Sequence, residues 1–261
     1  MIDFNNRTEE EAATYPLPYH RILTTVKPER ERLMGRITIS TNRARLWWRY
    51  GSNSPALRQA ISELAEVLVI AVVSKTVMPL RVPTGQVFSN KLDVFATDSY
   101  SDQAVLSSSL HQLWAITFGA TMRADTAYTP STVFETYPFP APGEALERPA
   151  RSLENTRSSI MLKRGLGLTD LYNKINNPSI TGMKDLDVAR LRTIHCLLDQ
   201  AVLDSYGWDD ITLNHGFHEF RNVVRWSISP AARREILDRL VEECHRRDYA
   251  RRLSQKHTHC E

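Results

Sequence analysis

The chain has 261 residues, of which 42% are apolar and 24% charged, a balance that excludes an intrinsically disordered chain. Its length suits one large domain or two modest ones, at roughly 100–200 residues each. The net charge of +3 is mildly basic, so a nucleic-acid partner is allowed but not demanded.

The basic residues are uneven. Arg30, Arg32, Arg36, Arg43, Arg45, Arg49 and Arg58 crowd one early stretch, and Arg233, Arg234, Arg239, Arg246, Arg247, Arg251 and Arg252 crowd the last, which reads as a solvated helix face. Three cysteines, Cys196, Cys244 and Cys260, are an odd number in a chain of this size. They make no disulfide framework, and reduced thiols in a cytoplasmic protein fit best. The acidic, polar start lacks the apolar core of a signal peptide. The longest apolar run, Val67 to Val73, is too short to span a bilayer, so no membrane partner is expected.

In chain order, residues 1–26 read as a lead-in with little core of their own. Ile22, Val26 and Leu33 among charges predict a surface helix over Tyr19 to Leu33. Ser54-Pro55 reads as an N-cap with proline at the first helical position, followed by Leu57, Ile61 and Leu64 at helical spacing. The β-branched run Val67 to Ser74 is the best strand candidate. A second strand is expected over Thr76 to Val82, a turn at Pro83-Thr84-Gly85, and a third strand carrying Val87, Leu92, Val94 and Ala96. Asp102 is placed to cap a helix with Val105, Leu106, Leu110, Leu113 and Trp114 inside and Gly119 as its stop. Tyr128 to Pro142 cannot be a long helix, because each proline removes a donor and restricts its neighbour. It reads as an extended segment pinned by Phe134, Tyr137 and Phe139.

After Pro149 the chain reads as helical. Leu153, Ile160 and Leu162 suggest one helix. Asp187 to Tyr206 is the clearest amphipathic one, closed by Gly207 with Trp208 folding back. Ser229-Pro230 opens a last helix over Ile236, Leu237, Leu240, Val241 and Cys244. The fold class is therefore α+β: a mixed α/β part over 27–142, then a mostly α-helical part over 150–261.

No residue set completes a catalytic site. There is no phosphate-binding GxxxxGK[ST] or GxGxxG, no GxSxG and no HExxH, and Gly165-Leu166-Gly167 reads as a turn. His215 with His218, and His257 with His259 and Cys260, lack the paired spacing of a metal site and read as incidental. Glu242-Glu243 reads as solvated helix surface. The remaining chemistry is that of nucleic-acid contact. Arg43, Arg45 and Arg49 interleave with Trp47 and Trp48, although tryptophans are more often packed than exposed. Lys75, Arg81, Thr84, Gln86 and Lys91 fall on strand ends and turns, and Arg123 and Thr129 near the next loop. Lysine and arginine can read guanine edges and glutamine adenine edges, though taken alone these are what any polar surface carries.

The order of segments resembles one family. The stretches RLWWRYGSNSPALRQAI, VVSKTVMPLRVPTGQVFSNKLDVFA, SSLHQLWAITFGATMRADTAYTPSTVFETYPFP, LTDLYNKINNP and LRTIHCLLDQAVLDSYGW look like the C-terminal half of large restriction–modification-type DNA methyltransferases. These are single-chain Type IIG-like enzymes and related methylases of phage defence. The resemblance runs from about Lys27 to Tyr249, and is most specific in the FETYPFP core of Tyr128–Pro140 and in Leu198–Trp208. It implies a target-recognition domain over 27–142 that reads double-stranded DNA, and a helical C-terminal domain over 150–261. It implies further that S-adenosylmethionine is held by a separate catalytic domain or subunit, whose N/D-P-P-Y/F motif acts on a flipped adenine. Neither motif occurs here. Asn177-Pro178-Ser179 lacks the second proline and the aromatic, so no catalytic residue carries over and no cofactor is expected in this chain.

The expected function is thus the DNA-binding specificity portion of an adenine-N6 methyltransferase. The chain can be a fragment, a split subunit or a remnant. The alternative is a structural or interaction protein that reuses the scaffold without reading DNA, and an autonomous enzyme is a distant third.

Overall fold

The computed structural model describes residues 2–50, 54–122, 125–220 and 223–258. By packing it divides into two compact units, residues 1–63 with 84–87, and residues 64–83 with 88–261.

The first unit is a set of short helices: α1 (Glu9–Ala13), α2 (Pro16–Thr25), α3 (Lys27–Arg32), α4 (Thr38–Arg45) and α5 (Pro55–Ala60). Thr8 and Glu11 cap α1 reciprocally, side chain to backbone N–H in both directions. The single helix expected over Tyr19 to Leu33 is two. Pro28 has no N–H to give the preceding turn, and the Thr24 and Thr25 hydroxyls donate back to the carbonyls of His20 and Arg21. Ser54 lies ahead of α5 as expected, but in a left-handed conformation (φ 39°) with no side-chain cap bond. Residues 1–26 are more than a lead-in. Phe4, Ala12 and Ile22 are buried with Trp47 in a core of their own, and the Tyr19 ring lies 5.4 Å from that of Trp47. Sequence patterning missed this core because its members come from four separate short segments.

The second unit contains β1 (Glu66–Ala71), β2 (Val73–Ser74), β3 (Leu80–Pro83), β4 (Leu92–Phe95), α6 (Tyr100–Ser107), α7 (Ser109–Phe118), β5 (Ala120–Met122), β6 (Asp125–Ala127), α8 (Glu144–Arg164), α9 (Leu168–Ile175), α10 (Leu186–Ser205), β7 (Gly216–Phe220), β8 (Val223–Ser227) and α11 (Pro230–Thr258). The β-branched run is a strand, but it breaks at Val72. Its first part, β1, is central in an antiparallel sheet ordered β3-β1-β4, with Leu68 opposite both Arg81 and Phe95. Its second part, β2, crosses to another sheet ordered β2-β6-β5. The second and third strands are shorter than the sequence suggests, beginning at Leu80 and Leu92.

The helix after β4 is capped by Ser99, whose hydroxyl accepts from Asp102 N–H, while Asp102 accepts from the Thr97 hydroxyl. It is interrupted at Ser108, whose hydroxyl accepts from His111 N–H and so recaps the chain as α7. Gly119 ends α7 without a left-handed turn. A Cβ there would collide with the Ala115 carbonyl oxygen and approach that of Ala127 to 3.2 Å, which is what restricts the position to glycine. Tyr128 to Pro142 forms neither helix nor strand, as its prolines require, and Tyr128, Val133 and Tyr137 are buried.

The helical remainder holds in its main elements. Asp185, rather than a later residue, caps α10. The segment after Trp208 is not all helical, because β7 and β8 pair as an antiparallel hairpin with Phe217 opposite Trp226. Gly207 (φ 74°) terminates α10 in the left-handed region, and Trp208 folds back to stack on Tyr206 at 4.4 Å. Leu162, one of the residues that marked α8, is 85% exposed. No packing boundary falls between Pro142 and Pro149: one apolar core runs from Leu68 through Tyr137 to Leu153, Leu198 and Leu240. No described helix is long and apolar enough to cross a membrane.

Polar groups are buried within this core. Arg157 on α8 is fully buried and donates to Glu154 at 2.6 Å, and Gln103 on α6 donates to the same oxygen at 2.6 Å. Burial opposes the charge on both partners, yet Arg157 and the hydrogen bonds that Glu154 accepts hold Glu154 below its ordinary value, and Tyr172 together with Glu154 holds Arg157 above. Further along, the Tyr172 hydroxyl meets His195 Nε2 at 2.9 Å. Asp199 on α10 is buried. It accepts from Ser109 N–H at the start of α7 and lies 2.8 Å from His215 Nε2 next to β7. Truncating one member of a buried pair strands the other charge, so Arg157→Ala should cost about 3–5 kcal/mol in denaturant unfolding, far more than Arg151→Ala on the exposed side of the same helix.

The Asp199–His215 pair adds a pH dependence. Burial works against the imidazolium, but the Asp199 carboxylate and, after it, Cys196 outweigh it and raise His215 to about 9. The folded value lies above the ordinary 6.5, so the pair's stabilisation is complete below that pH and declines as pH rises through about 9. The stability gap between the native chain and His215→Gln should therefore be widest near pH 6 and narrow by pH 9–10, measured by urea midpoints across that range.

Candidate nucleic-acid interface

In the second unit the sequence-selected cations sort into two environments. Arg81 projects from β3 with a side chain only 5% exposed. It donates through Nε and Nη2 to Gln103 Oε1 and through Nη1 to the Asp98 carbonyl, and it lies 3.9 Å from the Tyr100 ring centroid. Through Gln103 it joins the Glu154–Arg157 pair. That side chain is engaged inside the protein.

Lys75 and Lys91 are different. Both are exposed, and both flank the point where the chain passes from β1 to β2. Val72 N–H donates to the Lys91 carbonyl at 3.0 Å, and the Val72 carbonyl accepts from Tyr128 N–H at 2.7 Å. Lys75 follows Ser74, whose hydroxyl accepts from Thr76 N–H and shapes the turn. The backbone thus holds two lysines and the Tyr128–Thr129 step around one strand crossing. Thr129 is half-buried, and its carbonyl accepts from Thr132 and Val133 N–H. Arg123 lies outside the described residues.

The sequence reading missed one member of this neighbourhood. Arg225 on β8 donates through Nη1 to the Lys75 carbonyl at 2.5 Å, fastening the β7–β8 hairpin to the Lys75 turn. Burial pulls its pKa down, and the Asp125 carboxylate of β6 partly offsets that. The signal was available in sequence, since Val223, Val224, Arg225 and Trp226 make a short β-branched and aromatic run. It was overlooked because both flanks read as helix.

In the first unit, Arg43 and Arg45 are exposed on α4. Arg49 donates to the carbonyls of Asn6 and Arg7 and lies over the Trp48 ring at 5.8 Å. Trp47 is buried, as tryptophans usually are. Thr84 is half-buried and Gln86 exposed, and both group with this unit. The two histidines of NHGFH take separate partners, His215 on Asp199 and His218 on the Asn214 carbonyl. Among the described residues no group of three or more metal-ligating side chains converges. Of the tail cluster, His259 and Cys260 lie outside the described residues, as does the His257 side chain.

Comparison with known proteins bears on what this arrangement is for. No curated protein matches the chain in sequence. Among solved structures, the chain is similar in fold to the Type IIL restriction–modification enzyme MmeI, solved in complex with DNA, with a TM-score of 0.63 at 19% identity. The similarity covers 94% of this chain and 28% of that one, so the chain spans less than a third of the enzyme's length. The family model of the MmeI target recognition domain matches residues 10–141, which is half of the chain. The α+β fold with its helical C-terminal part is shared with that enzyme, and the chain belongs to the MmeI target recognition domain family.

Proposed function

We propose that this chain is the DNA-specificity portion of a restriction–modification-type methyltransferase. The observation that carries the reading is the family membership over residues 10–141 together with the exposed lysines inside that span. Lys75 and Lys91 sit on turns that backbone hydrogen bonds hold in place, and Arg225 braces the first of them. Cations on rigid turns can take phosphate oxygens and set the register in which neighbouring side chains meet base edges. Thr129 adjoins this centre, and Arg45, Thr84, Gln86 and Arg123 are further contacts of the same kind. Arg81 and Arg49 support the framework from within.

In this reading the chemistry is divided. A catalytic domain or subunit holds S-adenosylmethionine, extrudes the target adenine and transfers the methyl group to N6. This chain binds and orients the duplex, in a phage-defence setting in the cytoplasm. None of its residues is assigned a step in the transfer.

Binding to a labelled duplex at several salt concentrations tests the proposal. The folded chain should bind non-specific duplex with a Kd on the order of 10⁻⁶ M or weaker near physiological salt, and much more tightly at low salt. Lys75→Ala and Lys91→Ala should each flatten the log K against log salt plot by about one unit. Arg81→Ala should leave that slope alone and lower the unfolding midpoint instead. A folded chain that fails to bind at low salt would instead be a scaffold serving protein contacts.

A further inference from the structure

The first unit carries a groove between two of its short helices. It occupies about 650 Å³ between α3 and α4. Its lining has an apolar part, Val26, Leu33, Ile37 and Ile39, called its floor below, and a charged part, Glu29, Arg36 and Arg43, called its rim. Ile37 and Ile39 are 63% and 60% exposed, and Met34 beside them is 51% exposed. Three apolar side chains are thus left in water at neighbouring positions.

The charges say what kind of contact. Arg30 is engaged beneath the rim, donating through Nη1 to the carbonyls of Trp47 and Arg49. Its pKa is lowered by burial and by repulsion from Arg43. Neither Arg36 nor Arg43 makes an ion pair with a described residue, and Glu29 is the one carboxylate among the described lining residues. The groove therefore combines an uncovered apolar floor with cations that repel one another. Phosphates would answer the cations but leave the floor in water. An amphipathic helix with carboxylates flanking its apolar stripe answers both, because residues at i, i+3, i+4 and i+7 descend onto the floor while neighbouring positions reach the rim.

We propose that this groove docks an acidic amphipathic helix of the enzyme's catalytic portion. That assigns Arg43 to a protein partner rather than to DNA. The choice of source rests on the function proposed above, whereas the chemistry of the occupant rests on the groove alone.

The test uses the full chain and two probes. The first is a synthetic 18-residue helix with leucines at i, i+3, i+4 and i+7 and glutamates beside them, compared with glutamate-to-lysine and leucine-to-serine versions by fluorescence anisotropy. The chain should bind the acidic peptide at least tenfold more tightly than either control. The double variant Ile37→Ser/Ile39→Ser should lose that binding while keeping its unfolding midpoint and its duplex affinity, since both side chains are already exposed. The second probe is the co-expressed methyltransferase polypeptide bearing the N/D-P-P-Y/F motif, which should co-sediment with the native chain and not with the double variant. Equal binding of the acidic and basic peptides, displacement of the peptide by duplex DNA, or co-sedimentation indifferent to the double substitution overturns the proposal. Loss of duplex binding with peptide binding intact would strike the recognition reading and leave the groove assignment standing.

Discussion

The second unit depends on a buried ion pair. Glu154 and Arg157 lie three residues apart on α8, and neither can leave water without the other. Gln103 fixes the second hydrogen bond on the same carboxylate oxygen, and Arg81 fixes Gln103, so helix α6 and strand β3 are registered against α8 by one polar chain. Apolar packing alone would tolerate sliding between these elements. A hydrogen-bonded charge inside the core does not, because a displacement of about an ångström would leave a buried donor or acceptor unsatisfied.

That registration reaches the surface. Strand β1 lies between β3 and β4, so the position of β3 sets where β1 ends and where the chain crosses to β2 at Val72. Lys75 and Lys91 emerge on either side of that crossing. Arg225 adds a brace from an element far along the sequence, and Asp199 ties the approach to β7 to both α10 and the start of α7. Arginine serves two purposes in this chain. Arg81, Arg157 and Arg192 are donors to interior oxygens, with Arg192 satisfying the carbonyls of Ile175, Ile180 and Asn177 beyond the end of α9. The rim arginines of α4 and the stretch before it stay at the surface, where a partner can reach them.

Much of the framework was legible in the residues. Val67–Ile70 read as a strand because four apolar, mostly β-branched residues in succession suit burial on both faces. The long helix at Asp187–Tyr206 read correctly from its period, and the prolines of Tyr128–Pro142 correctly ruled out a helix. Other features were hidden for local reasons. Ser108 looks like an unremarkable helix residue until its hydroxyl is seen recapping α7. Nothing in the residues around Glu154 and Arg157 reveals that Gln103, 51 residues away, meets Glu154.

The sequence by itself determined that the chain folds as α+β and which family its segments resemble, because periodicity, proline placement and motif order are local properties. Only the tertiary structure decided which cations are available. Lys75 and Arg81 lie six positions apart on similar-looking strand ends, yet one points into solvent and the other into a hydrogen-bonded interior. The difference comes from what each meets across the fold. For Arg81 that is Gln103 and the Asp98 carbonyl; the Lys75 turn is braced by Arg225 on its backbone, and Lys75 itself stays exposed.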